Sequence, residues 1–294
     1  MRVYAAGIYA TRFDLRGTTY GRLTEAECAA RYGATHFLES YLYLGDNPRL
    51  IENIGADGVK IFVDCGAYSA YAQGATITRP KYIEFIHEYQ DIIATFDGIQ
   101  MMSVLDVIDA AARTHRNLRS MEDERITPIT CAQNGEDLAR LDEYAEQYKY
   151  VSLGGMVGPS RESLRAWLDP ILRDRLVDDD ARMRCKVYAF GLTSVPLLTR
   201  HRQRLASLDS TIWLQWAYFS AFLMPNFGMV KISEKSPDAN IEGEHFDTFD
   251  AVYGEDMRAD IEAAGFEVER LRTKQYRRWC WNLRAFQAVG EGKG

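Results

Sequence analysis

Short apolar runs rich in β-branched and aromatic residues alternate along the chain with longer stretches whose apolar residues recur every three or four positions. The short runs predict strands and the longer stretches predict helices. The predicted strands span eight ranges: 2–9, 60–66, 99–106, 127–133, 150–155, 186–191, 206–210 and 228–233. The clearest predicted helices span 79–96, 135–148 and 160–176.

Strands that alternate with helices indicate βα units and a parallel sheet. Eight such strands favour an α/β fold of the (β/α)8 TIM-like barrel type, with a doubly wound open sheet as the alternative. No GxGxxG segment opens a helix to support the open sheet. We expect one domain over residues 1–294, in which 225–254 are irregular and acidic and 256–294 form a basic, helical C-terminal extension.

Composition excludes several classes of protein. The chain has 47% hydrophobic and 26% charged residues, as globular proteins do, and no apolar run approaches the roughly 20 residues that span a bilayer. The first residues do not read as a signal peptide. Five dispersed cysteines without a CxxC pair indicate free thiols in a reducing compartment. We therefore expect a cytoplasmic protein with no membrane contact.

The formal charge of −7 does not indicate a general nucleic-acid binder, because phosphate binding requires a basic surface. The segment 269–284 is an exception, with six Lys or Arg against one acidic residue and three interleaved aromatic residues. It is a candidate nucleic-acid contact, and the alternative is a helix with a solvated basic face.

Polar residues or glycines follow most of the predicted strands. In a parallel barrel the carboxyl ends of the strands meet on one face, where active sites are built. A lone Asp at such a place is usually a turn or capping residue, but three together favour acid/base or nucleophilic chemistry. A divalent-cation site using the three carboxylates is the alternative. The candidates are Asp64, Asp106, Gln133, Gly154, Gly155 and Asp209.

Five segments resemble those of the tRNA-guanine transglycosylase superfamily and occur in the same order. They are "VDCGAYS", "CAQNGEDLARL", "VSLGGMVG", "YAFGLTSVPLL" and "SLDSTIW", all within residues 41–213. The resemblance is closest to the short phage-type DpdA-like 7-deazaguanine transglycosylases, which act on DNA. The zinc motif of the tRNA enzymes is missing, so the resemblance implies no zinc or other cofactor. Cys65 stands where the family usually has serine.

The resemblance implies exchange of guanine in DNA for a free 7-deazaguanine base such as preQ0. In that reaction Asp209 would be the nucleophile at C1′ and Asp64 the general acid/base. Asp106, Gln133, Gly154 and Gly155 would bind the base edge, and Tyr68 and Phe190 would stack on its faces.

Phosphate contacts are expected from Arg272, Lys274, Arg277 and Arg278, with Trp279 or Trp281 as a wedge that helps to unstack the target nucleotide. The alternatives are the same chemistry on tRNA and a noncatalytic nucleic-acid-binding barrel subunit. The sequence leaves the oligomeric state open.

Overall fold

A computed structural model describes residues 1–9, 30–224, 228–231 and 244–292. Its centre is a parallel sheet of seven strands in the order β3-β2-β1-β9-β8-β7-β6, which curls into a half-barrel. The predicted α/β class with a parallel sheet is confirmed. The strands of this sheet are β1 (Arg2–Ala6), β2 (Phe37–Ser40), β3 (Ile61–Asp64), β6 (Thr130–Gln133), β7 (Tyr150–Gly154), β8 (Lys186–Ala189) and β9 (Ser207–Ser210).

The predicted strand 99–106 is divided between two structures. Its first two residues, β5 (Ile99–Gln100), pair antiparallel with β4 (Thr95–Phe96) in a hairpin. Residues 101–104 then lie between the two edge strands of the sheet. The Val63 N–H donates to the Met101 carbonyl at 3.0 Å, and the Ile129 N–H donates to the Met102 carbonyl at 2.8 Å. These residues form isolated parallel bridges to both edges.

The strands of the large sheet differ from the sequence prediction in two places. The sheet contains β2, a four-residue strand that was not predicted because "FLES" is too short to show a periodic pattern. The predicted strand 228–233 is not in this sheet. Its described part, β11 (Gly228–Lys231), pairs antiparallel with β10 (Ala221–Met224) and parallel with β12 (Glu244–His245) in a separate small sheet.

Helices follow most strands of the large sheet. The predicted helix 79–96 ends early, at Glu88, because the backbone of Tyr89 leaves the helical region (φ −112°, ψ 32°). Asp97 and Gly98, which both have positive φ (51° and 76°), form the turn between β4 and β5. The helices span Tyr41–Leu44, Pro48–Ala56, Ala67–Gln73, Arg79–Glu88, Ala111–Asp123, Leu138–Gln147, Arg161–Pro170, Val195–His201, Ile212–Tyr218, Phe246–Ala263, Val268–Thr273 and Gln275–Glu291, with short turns of other helix types at Gln90–Ile92 and Ile171–Arg175.

Alternation along the strands separates two hydrophobic layers. On β1, Val3 and Ala5 belong to the large core between sheet and helices, whereas Tyr4 belongs to a smaller cluster on the concave side of the sheet. On β3, Phe62 belongs to the concave cluster, so Asp64 two residues later faces the same side. Asp209 is in register with Tyr4 and therefore also faces inward.

The C-terminal helix Gln275–Glu291 packs on β1, on β10 and on helix Ile212–Tyr218. Asn282 of this helix is completely buried, accepts a hydrogen bond from the Leu223 N–H at 2.7 Å and donates to the Trp213 carbonyl at 3.2 Å. The predicted basic extension 256–294 is thus helical, and its last helix, Gln275–Glu291, is a largely buried structural helix.

Among the described residues, no helix combines the length and hydropathy that a bilayer-spanning helix needs.

Candidate active site

Three carboxylates meet at the face of the sheet formed by the carboxyl ends of the strands, which we call the mouth. Asp64 ends β3, Asp209 lies in β9, and Asp106 follows the bridging residues 101–104. They are close enough to interact: the charge of Asp106 raises the pKa of Asp64, and the charge of Asp64 raises the pKa of Asp209. The structure therefore brings the three predicted aspartates into one site.

Asp64 is held by two hydrogen bonds. The Gly66 N–H donates to Oδ2 at 2.9 Å, and the Ser103 hydroxyl donates to Oδ1 at 3.3 Å. Burial raises the pKa of Asp64 to about 6, although these two donors stabilise its anion and oppose the rise. A carboxyl group with this pKa can both give and take a proton near neutral pH.

Asp209 lies deeper and is 9% exposed. The Gly191 N–H donates to its Oδ1 at 3.2 Å. The Tyr188 hydroxyl lies beside it and lowers its pKa, although this buried oxygen makes no hydrogen bond of normal geometry. Burial, followed by repulsion from Asp64, raises the pKa of Asp209 to about 7.

Asp106 has three donors. Its Oδ1 accepts from the Thr114 hydroxyl at 2.7 Å and from the Val107 N–H at 2.9 Å, and its Oδ2 accepts from the Gln133 amide. Burial raises the pKa of Asp106, and the side chains of Thr114 and Gln133 oppose the rise. The network fixes the carboxylate plane and leaves acceptor capacity on Oδ2, because a carboxylate oxygen accepts about two hydrogen bonds.

The two candidate glycines have different surroundings. A Cβ on Gly154 would lie 2.7 Å from Gln133 Oε1, so the absence of a side chain there makes room for the Gln133 amide. Gly155 is exposed, with φ +72°, and presents its backbone to the mouth. Of the predicted pair, only Gly155 is open to a ligand.

The two candidate stacking residues lie at different depths. Tyr68 is in the first turn of helix Ala67–Gln73 and is 55% exposed. Phe190 follows β8, is half-buried, and packs on Tyr188 and Phe62 with ring centroids 4.6 and 5.7 Å apart. Tyr68 is free to move onto a ligand, whereas Phe190 forms part of the floor.

The structure contradicts the predicted phosphate contact of Arg278. This side chain is 6% exposed and donates to the backbone carbonyls of Ala217, Leu271 and Arg272. Arg277 is also buried, at 8% exposure, and so cannot contact phosphate from this position.

Trp281 cannot serve as a wedge either, because it is 4% exposed and donates its indole N–H to the Leu223 carbonyl. Trp279 is half-buried in the same helix. Arg272 is half-buried and Lys274 exposed, so these two stay as predictions.

Sequence reasoning missed three residues of the site: Ser103, Thr114 and Tyr188. Ser103 is a polar residue in the apolar run "MMSVL", and Tyr188 is two positions before Phe190 and therefore on the same face of the chain. These signals were available in the sequence. Thr114 lies in a helix and had no comparable signal.

The described part of the chain contains no group of three or more His, Cys, Asp or Glu arranged to hold a metal ion. Cys65, Cys131, Cys185 and Cys280 are buried free thiols, and Cys28 lies outside the described residues. Comparison with models of known protein families and with curated proteins gives no match for this chain.

Proposed function

We propose that this protein is a DNA-guanine transglycosylase that exchanges guanine in DNA for a free 7-deazaguanine base such as preQ0. The observation that carries the proposal is the pair Asp64 and Asp209, two inward-facing carboxylates at one mouth whose pKa values lie at about 6 and about 7. The ordered sequence segments support the family. We also propose that residues 101–104 act as the eighth strand and complete a (β/α)8 barrel.

The first half-reaction uses both carboxylates. A carboxylate oxygen of Asp209 attacks C1′ as the bond from C1′ to N9 of guanine breaks, and the proton on Asp64 passes to the departing base. The product is a glycosyl ester on Asp209, as in a retaining glycosidase. In the second half-reaction the incoming base gives its N9 proton to Asp64, its N9 bonds to C1′, and Asp209 leaves as a carboxylate.

Asp106 and its neighbours recognise the base. Guanine presents the N1–H and the exocyclic amine on one edge, and both are donors that a carboxylate can accept. Asp106 Oδ2 already accepts from Gln133, so its remaining acceptor site is available to the base while Thr114 holds the other oxygen. The Gly155 backbone is in reach of the mouth on the same side, and Tyr68 can close over the base.

The test is incorporation of radiolabelled preQ0 into a DNA oligonucleotide. Wild-type protein should label the DNA, and Asp209→Asn should abolish labelling because an amide cannot form the glycosyl ester. Asp142→Asn is the matched control, since Asp142 pairs with Arg175 on the outside of the sheet at 2.6 Å. Labelling by Asp209→Asn at the wild-type rate would overturn Asp209 as the nucleophile.

Parallel reactions test the alternatives. With tRNA as the polymer, labelling of tRNA in preference to DNA would replace the proposed substrate. A chelator should leave the rate unchanged, and loss of activity would favour the divalent-cation chemistry considered for the three carboxylates. A protein that binds DNA but labels neither polymer would instead be the noncatalytic barrel.

A further inference from the structure

Exposed aromatic rings and unpaired cations gather on one part of the mouth. In a sheet of parallel strands, each helix that follows a strand begins at the carboxyl end of that strand and therefore at the mouth. Helices Tyr41–Leu44 and Ala67–Gln73 begin there, directly after the neighbouring strands β2 and β3. Helix Arg79–Glu88 follows Ala67–Gln73, and its start lies near the same mouth, because the Tyr82 hydroxyl donates to the carbonyl of Ser103, the residue that donates to Asp64. Helix Ala111–Asp123 follows the bridging segment next to β3.

These helices present two tyrosines beyond the proposed base-stacking residue. Tyr43 is 41% exposed and Tyr71 is 63% exposed, which makes them two of the most exposed large apolar side chains among the described residues. Gln73 Nε2 donates to the Tyr43 hydroxyl at 3.2 Å, so the two helices touch and the tyrosines belong to one surface. Exposed rings that lie together favour a binding role, because contiguous apolar surface often marks an interaction site.

The same surface carries three cations in the first turns of its helices. Arg79, Lys81 and Arg113 are exposed. Within the described residues none of the three has a carboxylate within 4.0 Å. A cation at a helix N-terminus is unfavourable because the helix dipole is positive there.

The two sequence tracts that contain these cations lack acidic residues. Despite the net charge of −7, no acidic residue occurs in 65–83 or in 110–121. Glu84 and Asp109 are the nearest exposed carboxylates in sequence to the two tracts, and each adjoins its tract directly. Arg113 also adjoins the catalytic face directly, because its neighbour Thr114 donates to Asp106.

We propose that Tyr43, Tyr71, Arg79, Lys81 and Arg113, the rim patch, bind the unpaired DNA strand that flanks the target base. The cations match the phosphates in charge, and their position at helix N-termini lets them act together with the helix dipoles on the same anions. The tyrosine rings favour an unpaired strand over a duplex, since base faces are open to stacking only when the bases are unpaired. The inference rests on the proposed function in taking DNA as the polymer.

The rim patch replaces the C-terminal segment as the main phosphate contact. Arg277 and Arg278 are buried, so two of the four cations predicted to contact phosphate in that segment are unavailable to DNA. The rim patch is adjacent to the catalytic carboxylates, and a strand held on it would place its flipped base over Asp64.

The test measures binding without chemistry. A fluorescein-labelled DNA strand of about 20 nucleotides is titrated with protein at several salt concentrations, and fluorescence anisotropy gives the affinity. For the double variant Arg79→Ala/Lys81→Ala, the slope of log affinity against log salt should fall in magnitude by about 1.4, because each phosphate contact to a single strand contributes about 0.7. Tyr71→Ala should weaken binding about tenfold through lost stacking.

The matched control is Lys149→Ala/Arg173→Ala, which removes the same charge from exposed side chains that lie away from the mouth. Lys149 immediately precedes the amino end of β7, and Arg173 follows the carboxyl end of helix Arg161–Pro170. Equal effects of the two double variants would overturn the inference, because the loss would then reflect net charge alone.

Two more probes have the same sequence: a duplex DNA and a single RNA strand. If the duplex binds more tightly than the single DNA strand and the rim variants weaken that binding, the proposal of an unpaired strand is wrong. If the RNA binds more tightly than the DNA strand and the rim variants weaken that binding, the proposal of DNA as the ligand is wrong. If the rim variants weaken DNA binding but the protein exchanges no base, the proposed function is wrong and this inference stands. If the protein exchanges bases and the rim variants do not change that rate, the proposed function stands and this inference is wrong.

Discussion

The Ser103 hydroxyl connects the backbone of β3 to the carboxylate of Asp64. Its oxygen accepts a hydrogen bond from the Cys65 N–H at 2.8 Å, so its own hydrogen is directed to Asp64 Oδ1 at 3.3 Å. The Ser103 carbonyl in turn accepts from the Tyr82 hydroxyl at 2.9 Å. The residue after Asp64 is Cys65, which has no hydroxyl group. Ser103, in the bridging segment 101–104, supplies the hydroxyl that donates to Asp64 instead.

The proposed roles of Asp64 and Asp209 predict a bell-shaped pH profile for base exchange. The active form needs Asp209 ionised and Asp64 protonated, and it is a minor form at every pH, because the pKa of Asp209 (about 7) lies above that of Asp64 (about 6). Its fraction falls below about pH 6 as Asp209 takes up a proton, and above about pH 7 as Asp64 loses the proton that the leaving base needs. The maximum should lie between the two values. A rate that keeps rising from pH 6 to about pH 9 would contradict Asp64 as the general acid.

Substitution Ser103→Ala should change that profile on its alkaline side. Loss of the Ser103 donor raises the pKa of Asp64, so Asp64 keeps its proton to higher pH and the rate at alkaline pH rises relative to the rate at acidic pH. The maximal rate should fall about tenfold, which corresponds to about 1.4 kcal/mol and is near the value of a hydrogen bond to a charged group.

Substitution Ser103→Thr keeps the hydroxyl and should restore the wild-type profile. A Ser103→Ala enzyme with a lower rate but an unchanged profile would mean that Ser103 acts only through folding.

Substitution Tyr188→Phe should change the other side of the profile. The Tyr188 hydroxyl lowers the pKa of Asp209, so its removal keeps Asp209 protonated to higher pH and reduces the rate at acidic pH relative to alkaline pH. Tyr150→Phe is the matched control, because Tyr150 is buried in the same concave cluster but contacts Ser207 instead. The Tyr188 assignment fails if both variants have the same pH profile.

Local pattern was enough to find the three aspartates, because a carboxylate at the end of an apolar run is visible in a few residues. The alternation of β3 also places Cys65 away from Asp64, as the sequence suggests. Thr114 could not be assigned this way, because it acts on Asp106 in a contact that only the folded chain creates. Ser103 stands out in the sequence as a polar residue in an apolar run, but its partner Asp64 is visible only in the folded chain. The predicted phosphate contact of Arg278 was wrong for the converse reason. A basic segment has the same sequence pattern whether its guanidinium groups face phosphate or backbone carbonyls.

The charge on Asp209 should cost the protein stability at high pH. Its pKa is about 7 in the folded state against about 3.9 in an unfolded chain, so stability is lost as pH rises from about 4 to about 7 and stays low above that. Three pKa units set an upper limit of about 4 kcal/mol. Asp209→Asn should therefore be more stable than wild type in urea at about pH 8, with a smaller gain at about pH 5. Asp142→Asn should show no such gain, and an equal gain at both pH values would refute the buried charge as its cause.

Gly66 should be among the least replaceable residues next to the site. Its φ is +82°, and a Cβ there would lie 2.8 Å from the Leu42 Cβ and would overlap the Ser40 hydroxyl, which accepts a hydrogen bond from the Leu42 N–H. Gly58 has a similar φ, +66°, but a Cβ there would meet no atom within 4 Å. Gly58→Ala should therefore cost about 1 kcal/mol of unfolding free energy for backbone strain alone.

Gly66→Ala should cost about 3 kcal/mol or more, because steric overlap adds to the same strain. Urea unfolding midpoints measure both losses. Since the Gly66 N–H also donates to Asp64 Oδ2, movement of the backbone to relieve the overlap should lengthen that bond and raise the pKa of Asp64. Equal losses of stability in the two variants would show that the chain around β2 moves to accommodate the added methyl group. Glycine would then be required at position 66 only because of its positive φ.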